Sequence, residues 1–461
     1  MSAPEVQGRR ILVLGLGRSG CAAGALLRRH GARVIGADDA APDAVQRRWQ
    51  NEDLEELAGV AFDDLALQER WREIPASQLD AVVLSPGVPP ENPGLVNLRR
   101  AGLPVHGELE WASRFCAGRV VAVTGTNGKS TTTAWIAHVL QAAGLASAAL
   151  GNLGRPFAME ADSLPAAAVP VVECSSFQLE TIASFRPMVG VVLNLAADHL
   201  DRYVDLDAYY AAKARLAAQV ADDGFFVTWT GCREALDWPH GGGRLLFGDP
   251  AAGAQAWIAD GVIRVRHGDT VRDLAAVADL ALQSPPNLLN ATAVAAAVLP
   301  LVADLDAVAA GLCSFPGLAH RHQLVGSIGE LRFVNDTKAT NVHAVCAGLQ
   351  GYPRPVVLIA GGSGKGEDYA PLREVMDAVR HVVTIGEEGP AIAVALAGVV
   401  PTTQAVDLDA AVAEAARLGA PDATVLLSPA CASFDMFRNY RERGEAFAAA
   451  ARALGAREEN P

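Results

Sequence analysis

The chain has no closely spaced cysteine pair, no long basic run and no long apolar stretch, and each absence removes a class of function. Its seven cysteines, Cys21, Cys116, Cys174, Cys232, Cys313, Cys346 and Cys431, are scattered singly. Without a C-x-x-C spacing there is neither a zinc-ribbon pattern nor a redox pair, so the thiols read as reduced and mostly buried. No run of Lys or Arg exceeds two residues, and the formal net charge of -14 repels polyanions. Nucleic-acid binding is therefore disfavoured, while small anions can still bind where a metal or a few placed cations reverse the local field. No segment reaches about 18 uninterrupted apolar residues, and the opening "MSAPEVQGRRILVLG" lacks the apolar core and cleavage site of a secretory signal. A cytoplasmic protein without membrane insertion is expected.

What is present is α/β alternation. The 461 residues exceed what one core usually holds and predict several domains. A first series runs through "RILVLGLG", a helix from about Ser19 to Arg29, "ARVIGAD" and "DAVVLSPG". A second runs through "RVVAVTG", a helix over Thr131–Ala143, "AVPVVE" and "GVVLNL" to an Ala-rich helix that Asn287 precedes and Asn290 begins. A third runs through "LRFVNDTK", "RPVVLIAGG", "HVVTIGEEG" and "ATVLLSPACAS". Short apolar runs separated by helical segments are the mark of mostly parallel sheets. The simplest parse is three α/β domains, 1–107, 108–316 and 317–461. In open α/β sheets ligands gather at the carboxyl ends of strands, which directs attention to the polar residues that follow each apolar run.

Two of those strand ends resemble nucleotide cradles. In "VVAVTGTNGKSTTT" the loop Gly125, Thr126, Asn127, Gly128 opens a helix with Lys129, Ser130 and Thr131, so backbone N–H groups, the helix N-terminus, a cation and a hydroxyl converge as a triphosphate requires. Only two residues separate the glycines, so the loop is a variant of the usual phosphate-loop spacing. Glu173 and His199 close neighbouring apolar runs and can hold a divalent ion, Mg²⁺ through oxygen or Mn²⁺ where the imidazole takes part. The earlier "GLGRSG" satisfies G-x-G-x-x-G, with Asp38 where a dinucleotide-binding fold keeps its ribose carboxylate; on these residues alone an NAD-dependent oxidoreductase stays open.

Taken together, "GTNGKST", "ECSSFQLE", "DHLDRY", "YYAAKARL", "NDTKATN" and "LLSPACASFDMFRNYRERG" resemble the Mur ligases, in the family's order and across essentially the whole chain. The resemblance implies three consecutive domains: Rossmann-like, a central P-loop ATPase-type with a mostly parallel sheet, and Rossmann-like again. It implies an ATP-dependent ligase that joins UDP-N-acetylmuramoyl-L-alanine to D-glutamate through an acyl phosphate, as a monomer, with the third domain closing onto the second. Arg18, Ser19, Ser85, Gly87 and Asn152 would then meet the UDP-sugar substrate, although "ADDAAPD" replaces the hydroxyl or basic residues expected near uracil. Ser130, Glu173 and His199 would hold metal, with Lys213 as a carbamylated lysine. Asn290 and Arg321 would face ATP, and Asp336 and Lys338 would bring the third domain to the nucleotide. Thr340, Lys365, Ser433, Phe434 and Tyr440 would form the acceptor pocket. A sister ligase with another acceptor, a folylpolyglutamate synthase and a nucleotide-gated binding module remain alternatives.

Overall fold

The computed structural model describes residues 5–89, 91–198, 202–268, 270–349, 352, 355–364 and 366–457. The first sheet contains β1 (Arg10–Leu14), β2 (Arg33–Asp38), β3 (Asp64–Leu67), β4 (Ala81–Leu84) and β5 (Val105–Gly107), in the order β3-β2-β1-β4-β5. All its pairings are parallel. The central strands β1 and β4 are almost wholly apolar and buried, as parallel strands covered on both faces must be. In register, Leu14 pairs with Ala37 and with Leu84, so the chain leaves the sheet at Gly15, Asp38 and Ser85 along one edge.

The second sheet contains β6 (Val121–Thr124), β7 (Ala149–Gly151), β8 (Val171–Glu173), β9 (Val189–Val192), β10 (Phe225–Trp229), β11 (Gly243–Phe247), β12 (Ala256–Ala259), β13 (Val262–His267) and β14 (Thr270–Ala276). Their order is β14-β13-β12-β11-β10-β9-β6-β8-β7, and among the described residues the β12–β13 and β13–β14 pairings are antiparallel and the others parallel. Val123 pairs with Glu173 and Thr124 with Val192, which places Gly125, Glu173 and Asn194 at a common edge.

Residues 1–315 form one compact unit and 316–461 another. In the first, a single apolar cluster joins Leu26, Leu27 and Trp111 to Leu150, Phe157 and Leu216, so the two sheets share a core on either side of Gly107. Two buried carboxylates fasten the helix Glu108–Phe115 to the segments around the second sheet. Glu110 accepts the backbone N–H groups of Ala183, Ser184 and Phe185 and the Ser184 hydroxyl, and it pairs with Arg114 at 2.8 Å. Glu108 accepts from Ala158 N at 2.7 Å.

The second unit carries β15 (Gln323–Ile328), β16 (Leu331–Asn335), β17 (Val356–Gly361), β18 (Val379–Ile385), β19 (Thr402–Gln404) and β20 (Thr424–Leu427), ordered β15-β16-β20-β17-β18-β19. Only β15 runs antiparallel, and Leu427 pairs with both Asn335 and Ile359, so Asp336 and Ser428 emerge together. Two apolar clusters drawn entirely from this unit cover the faces of its sheet.

Candidate functional site

The phosphate-type loop is held by its own backbone geometry and by the neighbours Asn290, Asn194, Ala196 and Tyr209. Gly125 has φ 146° and Gly128 φ 82°. A Cβ on Gly128 would lie 2.5 Å from Asn290 Oδ1, so the second glycine both turns the chain into the helix Lys129–Ala142 and admits an amide side chain against it. Asn194, just beyond β9, accepts from Asn127 N at 2.8 Å and donates through Nδ2 to Asn127 O, while its carbonyl accepts Thr126 N at 3.0 Å. The Thr126 hydroxyl bonds with both backbone groups of Ala196 and with the Tyr209 hydroxyl. Ser130 is buried in the first helical turn, and Thr131 beside it is half-buried. The helix begins at Lys129, ahead of the expected Thr131, because Gly128 already supplies the left-handed residue from which it starts.

Two lysines address one oxygen. Lys129 Nζ donates to Gly125 O at 3.0 Å and to Thr126 O at 2.7 Å; Lys213 Nζ, from the helix Leu206–Ala218, donates to the same Gly125 O at 2.8 Å. Lys213 is only 1% exposed and lies 4.7 Å from the centre of the Tyr209 ring. Burial, followed by repulsion from Lys129, holds its ammonium well below the usual lysine value, despite attraction from Asp198 and Glu173. That shift moves Lys213 toward the neutral amine, the reactive form of a lysine.

Glu173 ends β8 and is 2% exposed. One oxygen accepts from Asn152 Nδ2 at 3.1 Å; the other, Oε2, is buried without a protein partner. A buried carboxylate oxygen without a donor is costly, and a cation relieves that cost. With the Ser130 hydroxyl it supplies the hard oxygen donors that a small divalent ion takes, so the residues fit Mg²⁺. His199 and Lys365 lie outside the described residues; among those described, no group of three or more His, Cys, Asp or Glu gathers as a metal cluster.

A cavity of about 570 Å³ opens at the other strand edge, lined by Arg18, Ser19, Ser85, Gly87 and Asn152 together with Asp38, Asp39 and Arg48. Its floor is close-packed: a Cβ on Gly15 would lie 2.7 Å from Ser85 Cβ, and the Ser85 hydroxyl donates to Gly15 O at 2.7 Å. Asp38 accepts from Leu16 N, Ala40 N and Arg48, and these bonds outweigh its burial and hold its carboxyl below the usual range. Asp39 accepts from Trp71, Arg72 and Asn92. Asp38 thus shapes the loop from beneath, and its partner Arg48, from the following helix Pro42–Asn51, is a basic residue that lines the same cavity.

One expectation is corrected. Asn287 does not precede its helix: the element spans Pro285–Val298, with Ser284 at the N-cap, so Asn287 and Asn290 share successive turns and Asn290 Nδ2 donates to Asn287 Oδ1 at 3.3 Å. Two prolines with φ preset for a first turn start the helix earlier than the asparagines would.

In the second unit, Asp336 is buried at the end of β16, accepting from Ser428 Oγ at 2.9 Å and His322 N at 3.3 Å, with His322 Nδ1 at 3.2 Å. Burial alone would lower the His322 value, but attraction to Asp336 wins and raises it. Lys338 is exposed, its Nζ 4.1 Å from the centre of the Tyr440 ring. Burial opposes ionisation of the Tyr440 hydroxyl, yet Lys338 and Arg441 bring it below the usual tyrosine range. Arg321 and Thr340 are half-buried, Ser433 is buried, and Phe434 is 74% exposed with its N–H on Ser363 Oγ. Arg443, which sequence reading passed over, is fully buried and donates to Thr337 Oγ1, Thr337 O, Cys431 O and Ala432 O. It fastens the "DTKAT" turn to the "ACASF" loop. Arg443 and Asn194 were legible only as members of quoted or strand-end segments, since nothing in residue type distinguishes a loop-tying side chain from a solvated one.

Comparison with known proteins gives concordant matches. Residues 123–298 match the Mur ligase middle domain, and residues 320–431 the Mur ligase glutamate ligase domain. The chain is 41% identical to the UDP-N-acetylmuramoylalanine--D-glutamate ligase of Anaeromyxobacter dehalogenans, covering 97% of this chain and 98% of that one. It is 40% identical to the enzyme of that name from Geobacter metallireducens, over 98% and 99%. Among solved structures it is similar in fold to UDP-N-acetylmuramate-alanine ligase from Thermotoga maritima, with TM-score 0.58, 18% identity and coverage of 96% and 99%. A MurF ligase from the same organism, in complex with ADP, gives TM-score 0.58 at 15% identity, over 92% and 96%.

Proposed function

The chain belongs to the Mur ligase family, and we propose that it is the member that joins D-glutamate to UDP-N-acetylmuramoyl-L-alanine, splitting ATP to ADP and phosphate in peptidoglycan precursor synthesis. The observation that carries this reading is the strand edge where Lys129 and buried Lys213 share Gly125 O on the sheet that also presents the unpartnered Glu173 oxygen. A dehydrogenase has no use for that arrangement, whereas phosphoryl transfer to a carboxylate needs placed cations and metal oxygen ligands.

A carboxylate is a poor electrophile. In the proposed reaction its oxygen attacks the γ-phosphorus, the bond to ADP breaks, and the resulting acyl phosphate is attacked by the neutral amine of D-glutamate; phosphate leaves as the amide forms. The loop Gly125–Ser130 and Thr131 hold the phosphates, Lys129 neutralises developing charge, and Asn290 and Arg321 position the nucleotide. Mg²⁺, or Mn²⁺, would be held by Ser130 and Glu173, with His199 and Lys213 serving a second ion, and would supply charge neutralisation there. In its neutral form, which burial favours, the Lys213 amine adds to CO₂, forming a C–N bond and releasing a proton, to give an oxygen-donating carbamate. Arg18, Ser19, Ser85, Gly87 and Asn152 meet the UDP-sugar. Asp336, Lys338, Thr340, Lys365, Ser433, Phe434 and Tyr440 serve the nucleotide and the acceptor. A monomer in the cytoplasm, with domains 1–107, 108–316 and 317–461, completes the reading; no helix among the described residues is long and apolar enough to cross a membrane.

The test is phosphate release from ATP with Mg²⁺ and UDP-N-acetylmuramoyl-L-alanine, with D-Glu, L-Glu, Ala, Lys and diaminopimelate in parallel. Release with D-Glu alone is expected. Release with another amino acid moves the acceptor assignment, and no release with any overturns the ligase reading.

A further inference from the structure

Arg202 connects the Ser85–Gly87 turn, which the preceding reading gives to the UDP-sugar, to the segment that follows the Glu173 strand. Its planar guanidinium donates from Nη1 to Pro86 O at 2.9 Å and from Nη2 to Glu180 Oε2 at 2.9 Å, and its central carbon lies 4.1 Å from the centre of the Phe177 ring. Pro86 is the middle of the Ser85-Pro86-Gly87 turn that lines the large cavity. Phe177 and Glu180 belong to the segment that follows the Glu173 strand. The other side of the turn is already fixed, since Ser85 Oγ donates to Gly15 O. Arg202 and Glu180 are 19% and 21% exposed, so the pair is shielded more than a surface ion pair, whose worth is small.

We propose that Arg202 is a positioning residue that clamps the Ser85–Gly87 turn onto the Phe177–Glu180 segment and so sets where the UDP-sugar substrate is held relative to the phosphate loop. This rests on the ligase reading. The chemistry favours arginine specifically. Two terminal nitrogens in a rigid plane serve two acceptors on different elements while the flat face stacks on an aromatic ring; one ammonium cannot do all three. No other described side chain is recorded bonding to Pro86 O, so loss of Arg202 frees the turn without touching the nucleotide loop.

The experiment is steady-state kinetics of the full chain with wild type, R202K, R202Q and E180A, varying UDP-N-acetylmuramoyl-L-alanine and ATP separately, alongside thermal melts. R202Q and R202K are expected to raise KM for the UDP-sugar by about tenfold or more, the loss of a charge-assisted bond, while KM for ATP stays within about twofold. E180A should shift the same constant in the same direction. A UDP-sugar KM unchanged in R202K, or both KM values rising together with a lowered melting midpoint, would overturn the proposal and leave Arg202 structural. If R202Q fails to fold, R202K and E180A decide. Absence of wild-type turnover overturns the ligase reading and this proposal with it, which separates the two failures.

Discussion

At the scale of single residues, the edge of the central sheet holds charges that stability alone would not keep there. The unfolded chain protonates Lys213 below its ordinary value of 10.5, whereas burial in the folded chain lowers that value well below 10.5. Through that window the unfolded state binds more protons, so stability falls as pH drops below 10.5. Lys213→Met removes the penalty. Denaturant midpoints in CO₂-free buffer should decline less for the variant than for wild type between about pH 10 and pH 7.5, while turnover is lost; parallel declines would refute the neutral-lysine account. Glu173→Gln keeps an acceptor for Asn152 and removes a buried, partly unpartnered charge. Its melting midpoint should hold or rise, whereas turnover should fall by about 100-fold or more and need higher Mg²⁺. A midpoint that drops together with turnover would make Glu173 a structural carboxylate.

At the scale of elements, the test is Glu110, which caps the Ala183–Phe185 backbone ahead of β9. Burial alone would raise its value; the N–H donors, Ser184 and Arg114 outweigh burial and lower it. A carboxylate with a depressed folded-state value contributes stability above 4.5 that is lost as pH falls through the folded value. Glu110→Ala leaves several buried donors unmatched and should cost about 3 kcal/mol or more at neutral pH by urea unfolding. The difference between wild type and Glu110→Gln should shrink below about pH 4.5; a constant difference would place the effect in packing. Elements were also where sequence reading reached furthest. Continuous apolar runs bounded by glycines gave the strands, since buried parallel strands have no other pattern. The Asn287 boundary was misjudged because Pro285 and Pro286 outbid an asparagine cap. Asp38 was legible as a strand-end carboxylate but not as the partner of Arg48 and Leu16 N, because those contacts depend on how a loop folds back. Arg443 and Asn194 were hidden for the same reason, their roles being set by which backbone carbonyls the topology leaves within reach.

At the scale of the whole molecule, the alternation of apolar runs suggests three successive units, but periodicity reports local structure and is silent on which faces share a core. Leu26, Leu27 and Trp111 pack in one cluster with Leu150 and Phe157, while the clusters of residues 316–461 draw on no residue before Val325. Cutting the chain after Gly107 would therefore expose apolar surface on both pieces. Cutting after Phe315 divides none of these three clusters. The expectation is that a fragment of residues 1–315 expresses as a folded protein with a cooperative melt that UDP and ATP raise, as ligands binding the native state must. A fragment of residues 316–461 should melt cooperatively on its own, and a fragment of residues 1–107 should not. Circular dichroism melts of the three fragments measure this directly. A cooperative melt for residues 1–107 would mean that its own two apolar layers suffice without the shared cluster, and the first two sheets would then be separate folding units that merely dock.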